Sequence, residues 1–593
     1  MRPMPSREPI RYHVAMPEPQ AHELHIEMEI PGLAGRDDID LAFPVWAPGS
    51  YLVRDFCRHI YDLEVRGATG ASLASVRLDK GRWRIRTGQG KVIVRYRVFA
   101  FEVSVRTSFL DDSRAFLSGT SLFFFVEGEV DRPCLLRIVP RSGWSVTTAL
   151  PGLPGHAHTF RAQSYDELVD SPVEVGPHRR LAFNIDRTRF AIAMQGQTNL
   201  SRPRLLSTLR AIATTTGSIF GGFPFARYLF IIHALPHRGG GLEHANSSTL
   251  DVAGFSFEDE KGYQSFAELA AHELFHAWNV KRIHDRALGP FDYGKENYTE
   301  LLWFHEGFTE YVQGLILVRA GLLAAERYLK DLAESWGRYL GHPGRNVSSL
   351  SQLSYEAWVK QYKPADNHPN RMVSYYDKGR WAGLVLDLEL NLSTGGRRGI
   401  FDLFRRLWRR HGARQRPIDA GVIRREAEDL AGRSLAGYFD RFIDGKAELP
   451  VPALLKRIGI AVVASSPFAQ EKSDAIKAAR LLGFSGLVFS NTGDDAVVKN
   501  VVPGSPAWRA GLTYGDAVAA VGGTRVSAAT VGKRLADVAP GHEVELVFFR
   551  KDELRQVRLR MARNPERRWA FTIDPKADQA RRRLRRHWLG KGG

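Results

Sequence analysis

The segment His272-Glu273-Leu274-Phe275-His276 constrains this chain more strongly than any other feature of its sequence. On a helix, His272 and His276 lie one turn apart on the same face, so two imidazoles can bind one metal ion. Glu273 comes next on the helix and can reach a water molecule at the metal rather than the metal itself. The segment therefore predicts a helix that binds zinc and carries the general base for peptide hydrolysis.

The residues around this segment favour a buried helix. Ser265 and Glu268 have the spacing of a capping box, which predicts that the helix begins just before the histidines. Leu269, Leu274 and Trp278 make the segment mostly apolar, and such a helix is largely buried. A buried pair of histidines needs a reason, and metal ligation supplies one.

A third ligand is expected from a second helix, because a zinc hydrolase needs three protein ligands and one open position for water. Asn297 and Glu300 have the spacing of another cap and predict where this helix begins. Glu306 and Glu310 follow one turn apart and face the same way. We interpret Glu306 as the third ligand and Glu310 as an acceptor that orients a ligand histidine.

Glu296 competes with Glu306 for the role of third ligand. Nineteen residues separate it from His276, which is the spacing of thermolysin-like enzymes. Glu296 precedes the predicted helix and lies between Lys295 and Asn297. We therefore favour a solvated loop carboxylate at this position and Glu306 at the metal.

Three segments together resemble the glycyl aminopeptidase family, whose members are gluzincin-type metallopeptidases that carry a PDZ domain. The segments are HELFHAWNVKRI at 272–283, WFHEGFTEY at 303–311 and GGGLEHANS at 239–247. The resemblance covers nearly the whole chain and extends more distantly to aminopeptidase N and leukotriene hydrolase. It implies a zinc aminopeptidase that prefers small N-terminal residues, Gly or Ala.

The resemblance also implies a substrate-binding strand. Gly240-Gly241-Leu242-Glu243-His244 is similar to the G-x-M-E-N strand of aminopeptidase N, although Leu242 and His244 replace Met and Asn. Glu243 would then hold the α-ammonium group of the substrate. A carboxylate at this place accepts charge-assisted hydrogen bonds from a free amine and rejects blocked termini.

A tyrosine is expected to stabilise the oxyanion. Tyr376-Asp377-Lys378-Gly379 resembles the family's Y-x-K-G segment, whose Tyr donates a hydrogen bond to the tetrahedral intermediate. Tyr375 is adjacent and is the alternative. The apolar run that follows, 381–386, predicts a buried helix.

Composition limits the number of domains, the cellular location and the role of the cysteines. A chain of 593 residues with 44% hydrophobic residues forms several domains, and no apolar run approaches the length of a membrane span. The N-terminus lacks the apolar region of a secretory signal, which favours a cytoplasmic location. Cys57 and Cys134 are the only cysteines, and two inert buried thiols are expected rather than a disulfide framework.

The net charge of +18 raises the question of nucleic-acid binding. The arginines are dispersed and no nucleic-acid-binding motif is present, so no specific nucleic-acid partner is expected. The exception is the basic tail at 581–588, which we interpret as a solvated helix or a frayed end, with binding to an anionic membrane or nucleic acid as the alternative.

The pattern along the chain predicts a β-sandwich, a thermolysin-like α+β and helical peptidase domain, and a PDZ domain. Residues 1–170 show strand alternation, as in Leu24, Ile26, Met28 and Ile30. Residues 171–452 mix a small sheet with a helical lobe, and residues 475–563 carry the glycine and apolar signature of a bacterial PDZ domain. Residues 564–593 form the basic C-terminal tail.

These features predict a zinc-dependent aminopeptidase, with one Zn2+ per chain held by His272, His276 and Glu306. Cobalt or manganese suits the same ligands. Peptides with a free N-terminus would be the substrates, and a C-terminal peptide is a candidate ligand of the PDZ domain. The alternatives are a thermolysin-like zinc endopeptidase, which would not need Glu243, and a non-catalytic PDZ peptide-binding protein.

Overall fold

The computed structural model describes residues 8–87, 90–237, 239–465, 483–490, 493–565 and 567–590. Two compact units make up the chain. The first unit comprises Met1–Leu301, Val312–Leu323 and Phe401–Glu426, and the second comprises Leu302–Tyr311, Ala324–Ile400 and Ala427–Gly593.

The first unit begins with a β-sandwich, as the alternating sequence predicts. Leu24, Ile26, Met28 and Ile30 all face the core and are at most 2% exposed. The strands of this unit are β1 (Ile10–Ala15), β2 (Glu23–Ile30), β3 (Asp38–Ala42), β4 (Ile60–Gly67), β5 (Ser75–Arg77), β6 (Arg82–Arg86), β7 (Val92–Phe99), β8 (Phe109–Leu110), β9 (Ala115–Leu117), β10 (Phe125–Val126), β11 (Cys134–Val139), β12 (Ser145–Thr148), β13 (Thr159–Ala162), β14 (Val173–Gly176), β15 (Arg179–Ile185), β16 (Thr188–Gln195), β17 (Arg227–Leu235), β18 (Gly241–Glu243) and β19 (Ser247–Ala253).

Four sheets organise these strands. Sheets of order β13-β11-β1-β2-β7-β4 and β10-β3-β6-β5 share one hydrophobic core, and β12-β14-β9-β8 forms a third sheet. The fourth has the order β15-β16-β17-β19-β18, with parallel pairs at its centre and antiparallel strands at both edges. Strand β18, which carries Glu243, is therefore an edge strand of a mixed sheet.

Most helices of the described residues come after the sandwich. The helices are α1 (Tyr165–Val169), α2 (Arg202–Phe220), α3 (Glu260–Phe275), α4 (Phe308–Arg319), α5 (Ala325–Leu340), α6 (Leu350–Tyr355), α7 (His368–Arg371), α8 (Tyr375–Ser393), α9 (Ile400–Arg410), α10 (Ala420–Ala431), α11 (Ala436–Tyr438), α12 (Val451–Arg457), α13 (Pro506–Arg509), α14 (Val531–Ala536) and α15 (Gln579–Leu589). Short 3-10 turns span Pro19–Ala21, Phe56–His59, Gly119–Ser121, Arg286–Leu288, Pro343–Asn346 and Gly412–Arg414, and π turns span Trp303–Gly307, Ala357–Gln361 and Phe439–Ile443.

The second unit contains a helical part and a smaller β domain. Its strands are β20 (Ile460–Ser465), β21 (Gly483–Phe484), β22 (Leu487–Phe489), β23 (Ala496–Val501), β24 (Ala517–Val521), β25 (Thr524–Arg525), β26 (Glu543–Arg550), β27 (Glu553–Arg560), β28 (Ala562–Arg563) and β29 (Arg568–Ile573). The order β22-β23-β24-β26-β27 is antiparallel and encloses its own core with α14, as expected of a PDZ domain. Residues 475–482 of the predicted segment lie outside the described residues.

The C-terminal segment differs from its prediction. Instead of a solvated or frayed end, β29 pairs with β20, and α15 buries Leu584, Trp588 and Leu589. The indole of Trp588 donates to the hydroxyl of Tyr311 at 2.7 Å. In the sequence, the many arginines of this helix obscure its apolar face, which packs inside the second unit.

Both cysteines are free and buried, as predicted. Burial raises the pKa of the Cys134 thiol to about 12, so it stays protonated and inert. Among the described residues, no helix combines the length and the apolar character that crossing a membrane requires.

Candidate active site

Helix α3 carries the HExxH segment and starts earlier than predicted. Its N-cap is Asp259, whose side chain accepts from the backbone N–H groups of Lys261 and Gly262. Ser265 therefore lies inside the helix rather than at its cap, because a stronger cap stands upstream. His272, Glu273 and His276 are all buried, at the end of the helix that packs on β18 and β19.

Hydrogen bonds fix the orientation of both histidines. The Nδ1 atom of His272 lies 2.9 Å from Oε1 of Gln313 on α4, and Nδ1 of His276 lies 2.6 Å from the backbone oxygen of Asn279. Because each acceptor is an oxygen, Nδ1 donates and Nε2 takes no part in either bond. Zinc binds an unprotonated imidazole nitrogen, so Nε2 is the candidate ligand atom of each ring.

Gln313 and the Asn279 carbonyl are the acceptors found for the two Nδ1 atoms. Glu310 forms an ion pair with Arg380, and its role in orienting a ligand histidine stays a prediction. Gln313 lies nearly one turn beyond Glu310 on α4, and it is this amide that meets His272.

Strand β18 passes close to the catalytic helix at a glycine. A Cβ atom on Gly241 would lie 1.9 Å from Oε1 of Glu273, so only glycine lets the strand approach this carboxylate. Gly240 has no atom within 4 Å of such a Cβ and is not constrained in this way. Of the two predicted glycines, Gly241 is thus the one that shapes the site.

Glu243 lies beside the proposed base. Glu243, Glu273 and His276 each offer a ligand-type atom, and these atoms lie within 4.8 Å of one another. All three residues are buried. Two carboxylates this close in a buried site favour a positive group between or beside them.

A loop of the N-terminal sandwich covers Glu243. Gly49 has a φ of +86°, and a Cβ there would lie 2.5 Å from Oε1 of Glu243, so this position tolerates no side chain. A cavity of about 210 Å3 adjoins the carboxylate and is walled by Trp46, Tyr51 and Phe291 among others. The contact of Gly49 with Glu243 joins residues nearly 200 positions apart, and sequence analysis did not find it.

Within the second unit, two glycines bring together the segments of Glu306 and Tyr376. A Cβ on Gly307 would lie 2.5 Å from Cα of Gly379, and one on Gly379 would lie 2.8 Å from the backbone oxygen of Trp303. The π turn Trp303–Gly307 thereby packs directly on α8. These contacts explain why both the E-G segment and the Y-x-K-G segment contain a glycine: the two glycines let the π turn and α8 pack closely.

Tyr376 is held as a proton donor. Burial, followed by the charge of Glu306, raises its pKa well above the usual range. Tyr375, the alternative, is fully buried in the core, whereas the side chain of Tyr376 is partly exposed. The N-cap position of the π turn is Leu302 rather than Asn297, whose side-chain oxygen accepts from the backbone N–H of Asp292.

Comparison with known proteins agrees with this architecture. Residues 11–177 match the Peptidase M61 N-terminal domain, residues 265–381 match M61 glycyl aminopeptidase, and residues 482–561 match a PDZ domain. No curated protein matches the sequence.

A solved structure shows the same fold over nearly the whole chain. An aminopeptidase N family protein from Idiomarina loihiensis is 29% identical with a TM-score of 0.89, and the match covers 97% of this chain and 100% of that chain. An M1 zinc metallopeptidase from Deinococcus radiodurans is 14% identical with a TM-score of 0.48, over 75% of this chain and 96% of that chain. Residues 265–381 are thus similar to M61 glycyl aminopeptidases, and the comparisons support a hydrolase that acts on peptides.

Proposed function

We propose that this protein is a zinc aminopeptidase that removes small N-terminal residues from peptides. The observation that carries the proposal is the buried group of Glu243, Glu273 and His276. It joins an anchor for an amine, a general base and a metal ligand in one place. The preference for Gly or Ala rests on the family alone.

The metal would be held by His272, His276 and Glu306, each a buried side chain of a type that binds zinc. The hydrogen bonds from both Nδ1 atoms leave Nε2 of each histidine for the metal. Imidazole and carboxylate donors with one open position suit catalytic zinc.

The spacing along the chain supports Glu306 over Glu296 as the third ligand. Glu306 lies in the π turn that leads into α4, seven residues before Gln313, which orients His272. Glu296 precedes this helical segment and lies outside any helix or strand.

The charge and protonation state of each residue determine the role that we propose for it in the reaction. Zinc, when bound, would polarise the scissile carbonyl and acidify water. Glu273 would take a proton from the attacking water and deliver it to the leaving amine. Tyr376, kept protonated by its raised pKa, would donate to the developing oxyanion.

Glu243 would make the enzyme an exopeptidase. A buried carboxylate gains most from a partner that brings its own positive charge and hydrogen-bond donors. A free α-ammonium group meets both needs, whereas an acetylated terminus meets neither. We further propose that the PDZ domain binds the C-terminal end of a peptide.

Metal titration of matched variants tests the ligand set. Protein stripped with a chelator is titrated with zinc, and bound zinc and peptidase activity are measured for wild type, Glu306→Gln and Glu296→Gln. We expect Glu306→Gln to lose zinc affinity and activity, while Glu296→Gln retains both. Loss in Glu296→Gln with retention in Glu306→Gln would overturn the assignment.

A further inference from the structure

The turn that follows Glu243 is held by charged side chains from two distant segments. Arg282 donates from Nη1 to the backbone oxygen of Ala245 at 2.8 Å and from Nη2 to Oδ1 of Asn246 at 2.9 Å. Asp170 accepts from the backbone N–H of Ala245 at 2.8 Å. The position of this turn fixes where strand β18 ends, and Glu243 is the last residue of that strand.

Asp170 is the centre of this arrangement. Its Oδ1 atom lies 2.7 Å from Nζ of Lys281 and 3.1 Å from Nδ1 of His244. Burial alone would raise its pKa, but the charge of Lys281 and the hydrogen bond from His244 outweigh it and hold the pKa at about 2. Since an ionised carboxylate can only accept, Nδ1 of His244 carries its proton.

Lys281 links the carboxylate of Asp170 to the end of α3, the helix that carries the HExxH segment. The backbone N–H of Lys281 donates to the backbone oxygen of His276 at 3.2 Å. One residue thus contacts both a proposed zinc ligand and the carboxylate that holds the turn after Glu243. Its side chain is only 10% exposed, which limits screening by solvent.

The lysine of the pair lines two cavities. Lys281 lines the cavity of about 210 Å3 that Glu243 also lines, and a second cavity of about 320 Å3 beside His244. Asp170 lines the second of these cavities. The ion pair therefore joins the cavity beside Glu243 to the carboxylate that holds the turn after it.

We propose that the Asp170–Lys281 ion pair positions Glu243 against the metal helix, and so sets how strongly the enzyme recognises a free α-amine. This inference rests on the proposed function. Asp170 and Lys281 are positioning residues, since they act through the turn 244–246 and through His276. Loss of the pair would let the end of β18 shift relative to α3 while leaving the metal ligands and Glu273 in place.

Two inhibitors that differ only in the α-amine isolate this effect. Alanine hydroxamate and propionic hydroxamate are compared as competitive inhibitors of the zinc-loaded enzyme, and kcat and KM are measured with an alanyl peptide. The variants are Asp170→Asn, Lys281→Met, Lys281→Arg and Glu243→Gln. Asp40→Asn is the matched control, because Asp40 also forms an ion pair, with Arg84, and its side chain is 19% exposed, against 20% for Asp170.

We expect Asp170→Asn and Lys281→Met to lower the preference for alanine hydroxamate about tenfold, the equivalent of one charge-assisted hydrogen bond. KM for the alanyl peptide should rise by a similar factor, with kcat nearly unchanged. Lys281→Arg should rescue the preference, and Asp40→Asn should not change it.

Three results would overturn the proposal. An unchanged preference in both Asp170→Asn and Lys281→Met excludes a positioning role, and equal weakening of both inhibitors shows general damage to the site. If either variant fails to fold, the other variant and the Lys281→Arg rescue decide whether the ion pair has a positioning role. An unchanged preference in Glu243→Gln would instead refute the amine anchor of the proposed function itself, and the inference with it.

Discussion

The metal-binding and amine-binding sides of the first unit hold their functional side chains by different means. On the metal side, the neutral oxygens of Gln313 and Asn279 orient His272 and His276. On the amine side, the charged residues Asp170 and Arg282 fix the turn after Glu243. Neutral acceptors orient the imidazoles without adding charge beside them, whereas charged groups hold the turn at the end of an edge strand.

Replacing Glu273, the proposed general base, should have the largest effect on activity. Glu273→Gln keeps the size of the side chain but cannot accept the proton of water, so we expect kcat to fall by about 10^3-fold with zinc still bound. Steady-state kinetics and metal analysis measure both quantities. Glu268→Gln, one turn earlier on the same helix, is the control and should remain active. A fully active Glu273→Gln enzyme would remove the general base from the account.

The contact between the two sides can be broken at Gly241. Gly241→Ala would place a methyl group against Glu273 and should lower kcat/KM by about 100-fold, the typical result of a displacement near 1 Å. Gly240→Ala adds the same atom where space is open and should behave like wild type. Equal activities in the two variants would show that the close approach of β18 does not matter.

The neutral acceptor on the metal side can be tested at Gln313. Gln313→Leu removes the acceptor of His272 and should weaken zinc binding by about 10- to 100-fold, whereas Gln313→Glu retains an acceptor and should bind zinc well. Competition with a chromogenic chelator gives the affinities. Tight binding by the leucine variant would show that the tautomer of His272 does not depend on this bond.

A charged cluster behind the amine side should give a smaller effect, seen as pH-dependent stability. His233 lies 2.8 Å from both Glu174 and Asp251. Burial lowers its pKa, but these two carboxylates outweigh burial, so the net shift is upward. Its contribution is complete below the unfolded pKa of about 6.5 and is lost as pH rises through the higher folded value.

Urea unfolding between pH 5 and pH 9 checks this sign. The stability difference between wild type and His233→Gln should be greatest at low pH and should shrink as pH rises. A difference that grows with pH would mean that His233 is neutral in the folded protein.

The separation of the interacting residues explains how much of the site the sequence could predict. His276 and Asn279 are three residues apart, and the HExxH pattern itself reflects one turn of helix. Asp170 and Lys281 are 111 residues apart, and no local sequence pattern predicts that they form an ion pair. The β-sandwich was predictable because the alternation in β2 is local.

Two local predictions failed because tertiary structure or a competing signal decided the outcome. Asp259 caps α3 ahead of Ser265, and both residues are of types that cap helices. The arginines of α15 suggested a solvated end, but the burial of Trp588 depends on its contact with Tyr311, 277 residues away.

Matched peptides test the central claim most directly. Peptides that begin with Gly or Ala, with the N-terminus either free or acetylated, are incubated with the zinc-loaded enzyme, and the products are identified by mass spectrometry. The account predicts loss of one residue from the free peptides only, and loss of this discrimination in Glu243→Gln. Internal cleavage of both sets would make the protein an endopeptidase and would contradict the role proposed for Glu243.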